Sequence, residues 1–173
     1  MATIKILTPA RGVVAVDGKP NPIPDKEQTM FTQVERARDE ASGKHLTKYL
    51  WQFEAVMTVA NPLVCGGGVG GVLTFPTIPA TMRVTDFYCE IATAVVNDAG
   101  TQEVDSVKLN ADVIIADANI TAAAGFYKAD AAALPKKYAV PVVPTVALTG
   151  ADAVKYTAGK VRLFIETLSY FEA

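Results

Sequence analysis

The residues whose types and spacing could do chemistry gather first at Cys65-Gly-Gly-Gly-Val-Gly-Gly-Val72, which contains Gly66-x-Gly68-x-x-Gly71. That spacing matches the dinucleotide fingerprint, in which glycines turn a strand sharply into a helix whose amides hold pyrophosphate. The context does not match. The glycines run into Val72-Leu-Thr-Phe-Pro-Thr-Ile-Pro79, and Pro76 and Pro79 forbid a helix of useful length. Glu90 stands about where a ribose-binding acid belongs, but it lies in an alternating segment with no crossover helix before it. A Walker loop fails as well, because no Gly-Lys-Ser/Thr follows. The stretch therefore reads as a loop, with no nucleotide cofactor. Its flanks, Leu63-Val64 and Val69 with Val72-Leu73, are apolar, which suits burial or contact with another chain. The plainer alternative is a mobile hairpin tip.

Other chemical inventories are as thin. The single histidine, His45, cannot build a multi-histidine metal site, and no acids stand around it at ligand spacing. Ser42-Gly-Lys-His45 brings hydroxyl, amine and imidazole together in sequence, but catalytic roles are set by geometry in the fold. None of Ser42, Ser106 and Ser169 sits in a Gly-x-Ser-x-Gly elbow. Glu103 with Asp105, or Asp112 with Asp117, could serve as an acid/base pair. Asp105, Asp112 and Asp117 with Asn110 and Asn119 lack the calcium loop's spacing and its terminal Glu, so polar strand faces explain them. Tyr49, Trp51 and Phe53 could stack on bases or sugars from one strand face. With no basic groove beside them, core packing or a subunit interface explains them better. The expectation is a protein that is not an enzyme and has no metal, cofactor or small-molecule substrate.

Composition agrees. The chain has 173 residues, half of them hydrophobic and a fifth charged, which suits one domain with a sizeable core and an appended arm. A formal charge of −2 gives no footprint for nucleic acid, and Lys136-Lys137 is only a pair. Cys65 and Cys89 are too few for a disulfide framework and fit no zinc spacing. They form one bridge if strands bring them together, or stay reduced in a cytosol-made chain. The first residues, MATIKILTPARG, lack the apolar run of a signal peptide, and no 18-residue apolar stretch suggests a membrane span.

The elements that must position these residues divide near Leu46. Residues 1–45 form an extended arm punctuated by Pro9, Pro20, Pro22 and Pro24. A short helix is expected over about 25–42, capped by Asp25 and Gln28, with Met30, Val34, Ala37 and Ala41 on its thin apolar face. Residues 46–173 switch to period two. Trp51, Phe53, Ala55, Met57 and Val59 alternate with polar residues, as do Phe87, Cys89 and Ile91, and Val161, Leu163 and Ile165. The cleanest alternation is Val107, Leu109, Ala111 and Val113. Val140–Leu148, broken by two prolines, fits an edge strand or a strand entrance. The Ala-rich Ile120–Leu134 is ambiguous, with Ala131–Leu134 a candidate helical turn. Strands at this spacing, joined by turns such as Asn97-Asp-Ala-Gly100, predict a mainly β fold, an antiparallel β-sandwich behind an N-terminal arm.

The Ala/Val/Thr-rich strands Val84–Val96 and Val107–Ile115, the stretch Ile120-Thr-Ala-Ala-Ala-Gly125 and the terminal Tyr156-Thr-Ala-Gly-Lys-Val-Arg-Leu-Phe-Ile-Glu166 give roughly residues 50–173 a particular cast. It resembles the virion structural proteins of tailed bacteriophages, above all capsid decoration (cement) proteins, and the first 45 residues look like the arms by which such proteins clasp neighbours. The resemblance implies a jelly-roll-like sandwich, a trimer, bound to the capsid surface after synthesis in the host cytoplasm. It would stabilise the shell by bridging subunits of the major capsid protein. A tail, baseplate or head-fibre component would show the same features. A carbohydrate- or ligand-binding sandwich using Trp51 and the glycine loop is an alternative of another class. The residues expected at an interface are Met30, Phe31, Val34, Trp51, Val69 and Val72.

Overall fold

The structure, a computed structural model, describes residues 2–6, 31–38, 45–66, 70–100 and 103–171. The chain is mainly β. In order it forms β1 (Thr3–Ile6), β2 (Phe31–Arg38), β3 (His45–Met57), β4 (Leu63–Val64), β5 (Gly71–Thr74), β6 (Arg83–Asn97), β7 (Val104–Leu109) and β8 (Asp112–Ala116). After a 3-10 turn at Asp117–Asn119 come β9 (Gly125–Lys128), β10 (Lys136–Lys137), β11 (Pro144–Leu148) and β12 (Lys155–Phe171).

The strands make two antiparallel sheets. In the eight-stranded sheet the long β12 lies between β3 and β6. β1 and β2 lie end to end along the far side of β3, β1 opposite Phe53–Val56 and β2 opposite His45–Trp51. β9 and β10 cover the far side of β6, and β4 pairs with the start of β12. The second sheet has four strands in the order β5-β11-β7-β8.

Alternation explains the core. In β3 the side chains of Trp51, Phe53, Ala55 and Met57 are buried, and so are Phe87, Cys89 and Ile91 of β6 and Val161, Leu163 and Ile165 of β12. From the four-stranded sheet come Leu73, Val107, Leu109, Ile115, Val146 and Leu148, and all belong to one buried cluster. Each such large side chain contributes about 1.5–3 kcal/mol by leaving water.

Two sequence expectations change here. The helix expected over about 25–42 is not formed at Phe31–Arg38, which is strand β2; among the described residues there is no α-helix. Two of the four positions on that helix's apolar face are alanines, so helical burial would gain little, whereas pairing with β3 satisfies a whole row of backbone groups. The register shifts between Gln33 and Glu35, so Val34 stands in a bulge.

The alternation from Val107 to Val113 is a hairpin rather than one strand. Asn110 turns the chain at φ 55°, a conformation that Asn tolerates, and its side chain accepts from Val143 N–H at 2.9 Å and donates to Pro141 O at 3.2 Å. The proline-broken segment becomes an inner strand, with Pro144 at its entrance and Ile78 bridging Val142 just before it. Ala131–Ala133 form a turn closed by Ala133 N–H to Asp130 O at 2.9 Å.

Candidate functional site

The outward face of the eight-stranded sheet gathers polar and aromatic groups, and β-strand parity puts them there. On β3, Gln52 and Glu54 alternate with the core residues; on β12, Arg162, Phe164 and Glu166; on β6, Asp86, Tyr88 and Glu90. The register then fixes neighbours. Arg162 stands opposite Glu54 on one side and Glu90 on the other, and Phe164 stands between Gln52 and Tyr88. β9 adds Phe126 opposite Glu90 and Lys128 opposite Tyr88.

Two motifs result. The first is a charged row. Arg162 Nε donates to Glu54 Oε2 at 2.9 Å and Nη1 donates to Glu90 Oε2 at 3.3 Å. The Glu54 side chain is only 10% exposed, so the guanidinium is what makes its charge tolerable there. Glu54, then burial and Glu90, act on the guanidinium, with the net effect of raising its already high pKa.

The second motif is an aromatic ledge. The Phe126 ring lies 5.3 Å from Tyr88 and 6.0 Å from Phe164, tilted 35° to each, and Phe126 is 61% exposed. The Tyr88 hydroxyl donates to Asp86 Oδ2 at 2.8 Å, and Lys128 Nζ stands 3.7 Å from the same oxygen and 5.5 Å from the Tyr88 centroid. On β9 the intervening Tyr127 turns the other way; its hydroxyl meets Thr121 Oγ1 at 2.7 Å and donates to Ala123 O at 3.2 Å. This pins the strand that holds Phe126 up.

The sequence-selected residues are dispersed. Trp51 is wholly buried, and its indole N–H donates to Thr167 Oγ1 at 2.8 Å. It is a core side chain, neither an exposed interface nor a ligand platform. Val72 is 43% exposed on the outward side of β5. Phe31 and Val34 lie on β2 along β3, while Met30 and Val69 lie outside the described residues.

The glycine loop joins strand β4 to strand β5, not to a helix, and closes with Gly66 N–H to Gly70 O at 3.2 Å. Cys65 and Cys89 are both buried and free. Burial, with the nearby Asp98 and Asp152, pushes the Cys65 thiol up; burial, with Glu90, pushes Cys89 up to about 12. Both are therefore protonated, poorly reactive thiols.

The acid clusters have structural partners. Lys136 Nζ lies 2.7 Å from Asp112 Oδ2 and holds that carboxyl below its usual range. Asn119 Nδ2 donates to Asp130 Oδ1 at 2.8 Å. Among the described residues no group of three His, Cys, Asp or Glu side chains could hold a metal ion. Among the same residues no helix is long and apolar enough to cross a membrane.

Sequence reasoning missed Phe126, which sits in the ambiguous Ala-rich piece, and the Glu54–Arg162–Glu90 row. The alternation did mark Glu54, Glu90 and Arg162 as non-core positions; their meeting depends on strand pairings between distant parts of the chain. Comparison with protein-family models, with curated proteins and with solved structures returned no match.

Proposed function

We propose that this chain is a non-enzymatic virion structural protein, a jelly-roll-like β-sandwich that decorates a capsid and stabilises it by bridging coat subunits. Its partners on this reading are the major capsid protein and copies of itself in a trimer. The sandwich is supported by the buried cluster that both sheets share, since two sheets packed face to face bury one common core.

One observation carries the assembly reading: the chemistry of the outward faces. On the large sheet the carboxylates are tied to cations on neighbouring strands, as in Arg162 with Glu54 and Glu90 or Lys48 with Glu166 at 2.7 Å. Apolar side chains meanwhile stand out on both sheets, Phe126 at 61%, Val113 at 46% and Val72 at 43% exposure. Internally spent charge with exposed apolar groups suits a surface made to be covered.

The test is the native mass of the full-length chain by light scattering after size exclusion. A discrete trimer is expected. Shortening the chain to residues 46–173 is expected to keep a cooperative fold while weakening assembly, because among the described residues the buried members of the cluster run from Tyr49 onward, and Ala2 and Ile4 only pack against it. A monomer at every concentration, with no cosedimentation on capsids stripped of outer proteins, would overturn the reading.

A further inference from the structure

The ledge formed by Tyr88, Phe126 and Phe164 has a feature that assembly does not require. It is flanked by hydrogen-bonding groups whose charges are paired, two carboxylates with one guanidinium at Arg162 and single pairs at Asp86 and Glu166. Glu54 and Glu90 share Arg162 at 2.9 and 3.3 Å, Asp86 has Lys128 at 3.7 Å, and Glu166 has Lys48 at 2.7 Å. An anionic ligand would meet the surplus carboxylate of that trio, and a cationic one would have to compete with Arg162 and Lys128 for oxygens they already hold. A single-stranded nucleic acid would need a track of spare cations beside the rings, and the two cations that flank them, Arg162 and Lys128, are already paired with carboxylates. A wholly apolar partner would strip water from the ion pairs, and their desolvation would offset the gain from covering Phe126.

One class of ligand meets all three conditions. The faces of aromatic rings carry partial negative charge and attract the partly positive C–H groups of a sugar ring. The carboxylate oxygens keep lone pairs beyond those used by Arg162 and Lys128, and the guanidinium has further N–H groups, so hydroxyls can bond to the flanks while the ion pairs stay intact. The ring that would stack is the most exposed of the ledge, and it is held from below by paired strands rather than by a loop. We propose that the outward face of the large sheet, centred on Phe126 and flanked by Glu90 and Arg162, is a binding platform for a neutral saccharide. The proposal does not rest on the virion reading. It replaces Trp51, which is buried, with Phe126 as the stacking side chain.

The test is native electrophoresis of the full chain in gels cast with neutral polysaccharides (dextran, a β-1,3-glucan, a galactomannan) and, separately, dextran sulfate. At least one neutral polysaccharide is expected to retard the protein. Phe126→Ala should weaken that retardation about tenfold, the size of one aromatic stacking contact. Its thermal midpoint should be unchanged, since the side chain is mostly in water. Val113→Ala, on the other sheet, should bind as the parent does. Amide resonances of Glu90, Phe126, Arg162 and Phe164 should move together on titration with the retarding glycan. Retardation by dextran sulfate alone, by none of the neutral glycans, or equally in Phe126→Ala would overturn the proposal. A trimer that fails to bind glycan would sink the platform alone, and a glycan-binding monomer would sink the trimer alone.

Discussion

Gly66 and Gly70 belong to the same run of glycines, yet the fold asks different things of them. Gly70 has φ +77°, and a Cβ there would stand 2.1 Å from the Leu148 carbonyl oxygen. Both facts exclude a side chain, because the obstacle is backbone and the dihedral is one that L-residues rarely adopt. Around Gly66 a Cβ would meet nothing within 4 Å. Gly70→Ala is therefore expected to cost about 2 kcal/mol or more, and Gly66→Ala to stay within about 0.5 kcal/mol of the parent, both read from urea denaturation midpoints. Equal effects at the two sites would contradict this account. A nucleotide loop would have demanded the glycines for a ligand; here one is demanded by strand β11. The sequence showed that the run was not followed by a helix. Which glycine mattered was not legible, since the constraint comes from Leu148, far along the chain. The same holds for Trp51: its alternation left core packing and a subunit interface both open, and the Thr167 hydroxyl that receives its N–H in the core could not be foreseen.

Strands were legible where one face is buried and the other is wet, as in β3, β6 and β12. They were misread where local pattern and pairing disagree. β2 carries a weak helical pattern, and the need of β3 for a partner decides its form. The apolar/polar alternation of the sequence runs on through Asn110-Ala111 although the chain turns there and leaves Val113 exposed, so period alone could not reveal the turn.

Strand edges show what such pairing protects. β8 is the outermost strand of the small sheet, and a loop closes its free side: Asp130 N–H donates to Ile114 O at 2.8 Å, and Ala116 N–H donates to Asp130 Oδ2 at 3.0 Å. Asp130 thus stands in for a neighbouring strand and adds a charge, a combination that discourages edge-to-edge association. Asp130→Ala removes the acceptor for Ala116 and for Asn119. It is expected to cost about 1–2 kcal/mol and to raise the rate of aggregation on mild heating, followed by light scattering. A variant as stable and as soluble as the parent would show that this edge needs no guard.

At the scale of the whole molecule, one shared core ties the stability of both sheets to groups that must stay protonated. Cys89 lies inside the large sheet's contribution to the core and is pushed up to about 12 by burial and by Glu90. Tyr138 and Tyr156 are raised as well, burial being the main cause in each, with Asp112 adding to it at Tyr138. In the unfolded chain the thiol titrates near 9.0 and the phenols near 10.0, so above those values the unfolded state sheds protons that the folded state still holds. The sign follows. The contribution of these groups is fully present below about pH 9 and is lost as pH rises toward their folded values. Asp112 acts in the opposite sense, its lowered pKa adding stability that is lost as pH falls below its ordinary value of 3.8. The urea midpoint is expected to be level from about pH 7 to 8.5 and to fall steadily by about pH 10.5. Tyr138→Phe removes a titrating hydroxyl without opening a cavity and should make the alkaline fall shallower. A midpoint that holds through pH 10.5, or a Tyr138→Phe slope equal to the parent's, would mean that the core admits water to these groups and does not seal them as a single unit.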